Sequence, residues 1–164
     1  ELSPAVASAM IATNVAALTR LTAAVLPAMR TRGAGRILNV ASTAAFGPVP
    51  FAAIYGASKA FVLSFSAALA EELEGSGISV TALCPGPTVT RFAERAGMDH
   101  SGMFQGHLTS AEMVADRGFA ALMAGRRTEV PGVANQLMTL STRFVPRAAV
   151  ARVTGRFMRE RTRS

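Results

Sequence analysis

Two short, β-prone runs constrain this chain more than any other feature. Residues 36–41 (RILNVA) and 78–84 (ISVTALC) are mostly apolar, which is typical of strands in a parallel sheet that is covered on both faces. Apolar residues with helical spacing fill residues 4–30 and 51–74, and glycines follow both segments. The order helix, strand, helix, strand predicts an α/β fold with a parallel sheet.

The second half of the chain is less regular. Residues 87–108 have little periodicity, and a long segment of this kind is typical of a substrate loop or lid. Thr109–Glu112 resembles a capping box, which predicts a helix that runs to about residue 125. Residues 129–132 indicate a turn or a very short edge strand. Two amphipathic helices are expected after that turn, over residues 133–144 and 147–158.

The composition indicates one domain over residues 1–164. Half of the 164 residues are apolar and 16% are charged, so the chain can bury one hydrophobic core. The lone Cys84 cannot form an internal disulfide, which fits a reducing compartment. We therefore expect a cytoplasmic location.

The net charge is concentrated near the C-terminus. From Asn135 onward there are seven arginines against one acid, Glu160, so this stretch contributes +6 of the net +7. Basic helices over about residues 133–160 could cover the core or lie on an anionic membrane surface, and both interpretations stay open. Charge is the only feature that favours a nucleic-acid partner, so we expect none.

Tyr55 and Lys59 stand four residues apart in a predicted helix, so their side chains lie on one face. They are the only tyrosine and the only lysine of the chain. A free phenol has a pKa of about 10 and is a poor acid or base at neutral pH. A neighbouring ammonium favours the phenolate, so the pair predicts a Tyr55 pKa that is lowered toward the working range.

Two further features follow the predicted strands. Ser42 stands at the carboxyl end of the first strand and begins a loop over residues 42–50, and Pro85-Gly86 ends the second strand. Ligands of open parallel sheets bind outside the carboxyl ends of the strands. These strand ends and the helix face that carries Tyr55 are therefore predicted to meet in one crevice.

Taken together, these motifs resemble those of the short-chain dehydrogenase/reductase family. Gly35 to Phe61 is similar to the family's active-site segment, and Ile78 to Thr90 is similar to its strand and PG motif. Ile11 to Thr22 (IATNVAALTRLT) is similar to the helix that carries the family's fourth catalytic residue. The resemblance covers essentially the whole chain, and it implies a Rossmann-like, doubly wound parallel sheet.

The resemblance implies catalytic roles for four residues. Tyr55 would be the general acid in carbonyl reduction or the base in alcohol oxidation, and Lys59 would lower its pKa and bind the nicotinamide ribose. Ser42 would hold the substrate oxygen as charge develops on it. Asn14 would hold a water that links Lys59 to solvent for proton relay.

The same resemblance implies the cofactor contacts. Besides Tyr55 and Lys59, the nicotinamide end would meet the stretch after the second strand, at Pro85, Gly86, Thr88 and Thr90. Family habit favours NADP(H), with NAD(H) as the alternative, and the hydride chemistry belongs to the cofactor. No metal site is expected, because the two histidines, His100 and His107, lack companions with ligand spacing.

One part of the family pattern is absent. The chain has no N-terminal glycine-rich turn of the kind that seats a pyrophosphate, and it resembles a family member from about a third of the way along. We therefore expect a sheet that is incomplete on its N-terminal side. We also expect these 164 residues alone to bind dinucleotide poorly or not at all.

The sequence thus predicts an NAD(P)(H)-dependent oxidoreductase that interconverts a carbonyl and an alcohol. An apolar lid would make the substrate lipid-, steroid- or long-chain-like, and ordinary core packing is the equal alternative for the residues concerned: Phe92, Met98, Met103 and Phe104. A rival function is a catalytically silent fragment that acts through its basic helices at a membrane surface or a protein partner. The family habit of pairing long helices implies a homo-oligomer for a full-length parent.

Overall fold

Three parallel strands organise the described part of the chain. The structure is a computed structural model that describes residues 3–89 and 109–159. β1 (Gly35–Val40) pairs with β2 (Ile78–Leu83) along its whole length. β3 (Thr128–Glu129) pairs with the carboxyl end of β2, so the order in the sheet is β1-β2-β3. The predicted α/β arrangement with a parallel sheet is confirmed.

The first helical segment has a π-helical centre. It consists of α1 (Pro4–Ile11), a π segment (Ala12–Ala17) and α2 (Leu18–Arg32). The prediction of one regular helix over residues 4–30 was wrong at this point. A π turn widens the helix by one residue and occurs frequently at functional sites, and this one contains Asn14.

The helix α3 (Ala53–Glu72) connects β1 to β2 and covers one face of the sheet. Two clusters of buried residues pack in this region. The amino-end cluster, near the amino ends of the strands, contains Ile37, Leu69, Ala70, Leu73, Ile78 and Val80. The carboxyl-end cluster, near the opposite ends of the strands, contains Ala41, Val62, Ala82 and Cys84.

Two helical spans are long and apolar enough to cross a membrane by length and composition alone, Pro4–Arg32 and Ala53–Glu72. Leu26 and Met29 of the first span pack against the amino-end cluster, and the second span contributes residues to both clusters. Packing on the sheet therefore accounts for only some of these apolar residues, and Val6, Ile11 and Leu21 of the first span are exposed.

The elements after the second strand differ from the prediction in their bounds. α4 (Ala111–Met123) is capped by Ser110, whose hydroxyl accepts the Met113 N–H at 3.1 Å, so the predicted cap at Thr109 is one residue early. The short edge strand is Thr128–Glu129, one residue before the predicted position. The last two helices are α5 (Val133–Ser141), which ends earlier than predicted, and α6 (Arg147–Arg159).

The two loops near the carboxyl ends of the strands are only partly as expected. The loop predicted over residues 42–50 contains a 3-10 turn, Thr43–Phe46. Residues 90–108, most of the predicted substrate loop, lie outside the described residues. The described ends of that loop lie side by side, because the Val89 N–H donates to the Thr109 carbonyl at 3.0 Å.

A buried carboxylate fixes the end of β3. The Glu129 side chain is 5% exposed, and it accepts hydrogen bonds from Arg117 Nε and Arg126 Nη1, each at 3.1 Å. Two guanidinium partners offset the cost of burying this charge, because a buried carboxylate without partners is strongly destabilising. The pairs tie α4 to β3 and hold the third strand in the sheet.

Candidate active site

The structure brings Ser42, Tyr55 and Lys59 together at the carboxyl ends of β1 and β2. The Tyr55 side chain is hydrogen-bonded with that of Ser42. Lys59 Nζ lies 5.9 Å from the centroid of the Tyr55 ring, since the two residues are one helical turn apart on α3. The three polar groups that the sequence predicted to meet therefore lie together at one edge of the sheet.

Ser42 is held by the backbone around it. Its side chain is buried, its Oγ accepts the Ala44 N–H at 3.1 Å, and it donates to the Pro85 carbonyl at 3.5 Å. The Thr43 N–H also donates to the Pro85 carbonyl, at 2.9 Å, so the chain after β1 is clipped to the chain after β2. The hydroxyl that faces Tyr55 is thus fixed by two strand ends.

The acidity of Tyr55 differs from the sequence-based expectation. Burial raises the pKa of the Tyr55 phenol above its ordinary value, and the hydrogen bond with Ser42 opposes that rise without cancelling it. The expected lowering of this pKa by Lys59 is not found here. The physical reason is that desolvation penalises the phenolate more than its hydrogen bond with Ser42 stabilises it.

The Lys59 ammonium is directed toward the sheet. Its Nζ donates to the Val40 carbonyl at 2.9 Å, at the last residue of β1. Burial lowers the pKa of Lys59, and the neighbouring Cys84 acts in the opposite direction. The ammonium is therefore held between a strand end and the phenol ring.

Cys84 lies in the carboxyl-end cluster beneath this site and is fully buried. Burial raises the pKa of its thiol to about 12, against the smaller effects of Ser42 and Lys59. A thiol with this pKa is protonated at neutral pH, so Cys84 is a packing residue and not a nucleophile.

Asn14 reaches the site through Ser58, a residue that the sequence gave no reason to single out. Asn14 Nδ2 donates to Ser58 Oγ at 3.0 Å, and Ser58 Oγ donates to the Tyr55 carbonyl oxygen at 2.8 Å. The π segment is thereby joined to the turn of α3 that carries Tyr55 and Lys59. In the sequence Ser58 is distinguished only by its position, three residues after Tyr55 and directly before Lys59.

The turn at Pro85-Gly86 forms a further wall of the crevice. Thr88 Oγ1 donates to the Gly86 carbonyl at 2.9 Å, which tightens the turn. A Cβ added to Gly86 would lie 2.6 Å from the side chain of Asn135, so any other residue there would displace that side chain. Asn135, on α5, was not predicted as part of this region, and Thr90 lies outside the described residues.

The polar groups around this crevice fit one end of a nicotinamide dinucleotide. Lys59 offers an ammonium, and Tyr55 and Thr88 offer hydroxyls, which are suitable partners for ribose hydroxyls and a carboxamide. Across residues 3–89 and 109–159, no glycine-rich turn after a strand offers a seat for a pyrophosphate. The fit is therefore to the nicotinamide end alone.

Comparisons with known proteins agree with this arrangement. A family profile described as short chain dehydrogenase matches residues 1–100. Ketoacyl reductase HetN of Nostoc is 43% identical over 74 residues, which cover 45% of this chain and 26% of the relative. Sulfoacetaldehyde reductase of Chromohalobacter salexigens is 41% identical over 116 residues, which cover 67% of this chain and 46% of the relative.

A solved structure of a short-chain dehydrogenase has a fold similar to that of this chain. The short-chain dehydrogenase from Sphingobium yanoikuyae in complex with NADPH matches with a TM-score of 0.75 and 33% sequence identity. The match covers 85% of this chain and 55% of that one. The chain spans about half the length of the curated relatives that it matches, or less.

Proposed function

Because this chain belongs to the short-chain dehydrogenase family, we propose that it provides the catalytic half of a nicotinamide-dependent oxidoreductase that interconverts a carbonyl and an alcohol. The observation that carries the proposal is the hydrogen bond between Ser42 and Tyr55, with the Lys59 ammonium one helical turn away. Two hydroxyls that share a hydrogen bond can also share one substrate oxygen, since each carries a proton and can turn toward the same acceptor.

In the direction of carbonyl reduction, Tyr55 would be the proton donor at neutral pH. Burial keeps the Tyr55 phenol protonated, because its pKa is raised above the ordinary value. A protonated phenol can donate its proton to the oxygen of a carbonyl as charge develops there. The Ala44 N–H fixes the position of Ser42 Oγ, and the Ser42 hydroxyl proton, which is directed toward the Pro85 carbonyl at 3.5 Å, would turn to the same substrate oxygen to stabilise it.

Lys59 and Thr88 are the proposed contacts of this chain with the ribose and carboxamide of the cofactor, and Asn14 is the proposed link toward solvent. When bound, the cofactor supplies or accepts the hydride, and the chain supplies position and proton transfer. NADP(H) is favoured over NAD(H), and the NADPH complex of the Sphingobium structure supports that preference.

A hydrophobic substrate is the proposed class. Phe51, four residues before Tyr55, is 68% exposed, and Val89, just after the Pro85-Gly86 turn, is 60% exposed. Apolar side chains beside a polar centre are typical of sites that orient a ligand with a few hydrogen bonds and bind the remainder by burial. The ketoacyl reductase relative supports a chain-like substrate, whereas the sulfoacetaldehyde reductase relative represents the small polar alternative.

The test is turnover by the full 164-residue chain with two hydride donors, NADPH and reduced nicotinamide mononucleotide. The described residues fit only the nicotinamide end, so the mononucleotide should support turnover about as well as the dinucleotide. Tyr55→Phe should lower kcat by about 10²- to 10⁴-fold, the usual contribution of a general acid, with the circular dichroism spectrum unchanged. Long-chain and small polar carbonyl compounds are compared as substrates.

Ser64→Ala, an exposed change on the same helix, is the matched control and should behave as the unaltered chain does. Turnover that does not depend on Tyr55, or none with either donor at high concentration, would reject the proposal. The rival interpretation, a silent fragment that acts through its basic helices, would then take its place.

A further inference from the structure

From the contacts of Ser58 we infer that this residue is a positioning residue, which sets the orientation of the Asn14 carboxamide relative to Tyr55 and Lys59. The inference rests on the proposed function for its catalytic consequence, and on the hydrogen bonds alone for the orientation itself. Ser58 is 4% exposed, so its hydroxyl has no access to bulk water as an alternative partner.

The orientation follows from the single proton of a serine hydroxyl. Ser58 Oγ donates that proton to the Tyr55 carbonyl at 2.8 Å, so the lone pairs of the oxygen can face only another donor. Asn14 supplies the donor, with its Nδ2 at 3.0 Å. A rotated Asn14 amide would place Oδ1 against Ser58 Oγ, and two acceptors would face each other in a buried position. The Oδ1 of Asn14 is thereby directed away from Ser58 and kept as an acceptor.

The backbone of Asn14 also needs an external constraint. It lies in the π segment Ala12–Ala17, where the regular hydrogen-bond pattern of the helix is interrupted. None of the residues of this segment is fully buried, and Asn14, Val15 and Ala16 are half-buried where the segment packs against α3. The bond from Asn14 to Ser58 connects this segment to α3 and fixes which way the carboxamide points.

A second pair on α3 provides an internal comparison. Asn39 Nδ2 donates to Ser66 Oγ at 2.9 Å, and Ser66 Oγ donates to the Val62 carbonyl at 2.7 Å. The chemistry is the same as at Ser58, and Ser66 is fully buried, but Ser66 lies two helical turns beyond Ser58 on α3, opposite Asn39, the residue before the last of β1. Ser66→Ala therefore removes an equivalent pair of hydrogen bonds and leaves the groups around Tyr55 in place.

The first arm of the experiment uses no cofactor. Hydrogen exchange of the side-chain amide of Asn14 is followed by NMR in the full chain, in Ser58→Ala and in Ser66→Ala. The Asn14 amide should be protected in the unaltered chain and in Ser66→Ala, and should lose protection in Ser58→Ala. Unchanged exchange of the Asn14 amide in a folded Ser58→Ala variant overturns the inference, whatever the activity measurements give.

The second arm measures kcat and KM separately, with the hydride donor that the unaltered chain uses. Ser58→Ala should lower kcat by up to about 100-fold with KM nearly unchanged, because misplaced catalytic groups slow the chemical step. Ser66→Ala should lower the melting temperature and leave kcat as it is. Ser58→Ala should have no further effect in an Asn14→Ala background, since Ser58 acts through Asn14.

These outcomes separate the two proposals. If the chain shows no turnover, or turnover that Tyr55→Phe leaves unchanged, the proposed function is rejected. The NMR arm still decides the orientation of Asn14 in that case. Additive losses of kcat from Ser58→Ala and Asn14→Ala would show that Ser58 acts by another route, and would overturn its assignment as the residue that positions Asn14.

Discussion

Along α3, the final turns carry Leu69 and the following Leu73 into the amino-end cluster, whereas the first two turns carry Tyr55, Ser58 and Lys59 to the carboxyl ends of the strands. At the amino end the buried groups are hydrocarbon. Each such side chain contributes about 1.5–3 kcal/mol on burial. At the carboxyl end, hydroxyls, an ammonium and an amide are partly or fully buried beside the apolar carboxyl-end cluster. Burial of such polar groups is unfavourable unless they are hydrogen-bonded.

The difference shows how one helix can serve stability and chemistry at separate ends. The polar end is ordered by matched hydrogen bonds, such as those from Ser58 to Tyr55 and from Lys59 to Val40. These bonds contribute little net stability, about 0.5–1.5 kcal/mol each, so apolar burial in the two clusters, to which Leu69 and Val62 contribute, must hold the helix on the sheet. Changes at the two ends should therefore be measurable independently of each other.

Leu73→Ala should have the largest effect, and only on stability. The Leu73 side chain is 1% exposed in the amino-end cluster, so truncation leaves a cavity and should lower the free energy of unfolding by about 2–5 kcal/mol. Chemical denaturation followed by circular dichroism measures this loss. Leu137→Ala, at a side chain that is 63% exposed, is the control, with an expected change of no more than about 0.5 kcal/mol.

The comparison between the two ends is tested by the titration of Tyr55 in the same Leu73→Ala variant. The chain has one tyrosine and no tryptophan, so ultraviolet absorbance reports the Tyr55 phenolate alone. This titration should be unchanged in Leu73→Ala while the protein is folded. A displaced titration would mean that packing at the amino end determines the environment of the phenol.

Ser42→Ala should have an intermediate effect, and its main result should be on acidity. The hydrogen bond with Ser42 is what opposes the rise in the pKa of Tyr55, so its loss should raise that pKa further. The absorbance titration measures it, and Ser64→Ala, an exposed change on α3, should titrate as the unaltered chain does.

The same change predicts a difference in stability at alkaline pH. The folded chain holds the Tyr55 proton more tightly than the unfolded chain, in which a phenol has a pKa of about 10. The stabilisation from this group is complete below about pH 10 and is lost as pH rises through the folded-state pKa. In Ser42→Ala the loss of stability should continue to a higher pH than in the unaltered chain. If the loss ended at the same pH or at a lower pH in the variant, the role of Ser42 would be contradicted.

The sequence allowed the elements of this comparison to be predicted where the signal is local. The strands lie within one residue of the predicted runs, because short apolar runs bounded by glycines and prolines are typical of buried strands. The shared face of Tyr55 and Lys59 follows from helical spacing. Their meeting with Ser42 followed from the rule that ligands bind at the carboxyl ends of parallel strands.

The remaining features depend on contacts between distant parts of the chain. The direction of the Tyr55 pKa depends on how deeply the ring is buried, and the Lys59 ammonium is directed to Val40, nineteen residues away in sequence. Ser58 is significant because Asn14, forty-four residues earlier, donates to it. No pattern of residue types along the chain encodes such pairings.

Arg127→Ala should have the smallest effect, although it lies at the same end of α3 as Leu73. Arg127 pairs with Glu71, and with Glu74 at 3.3 Å, and all three side chains are more than half exposed. Exposed ion pairs contribute about 0–1 kcal/mol and weaken with salt, so the loss in unfolding free energy should be within that range and should shrink at high ionic strength. Denaturation at low and high salt measures both. A loss that approaches that of Leu73→Ala would mean that charge pairing, and not apolar burial, holds this end of the helix on the sheet.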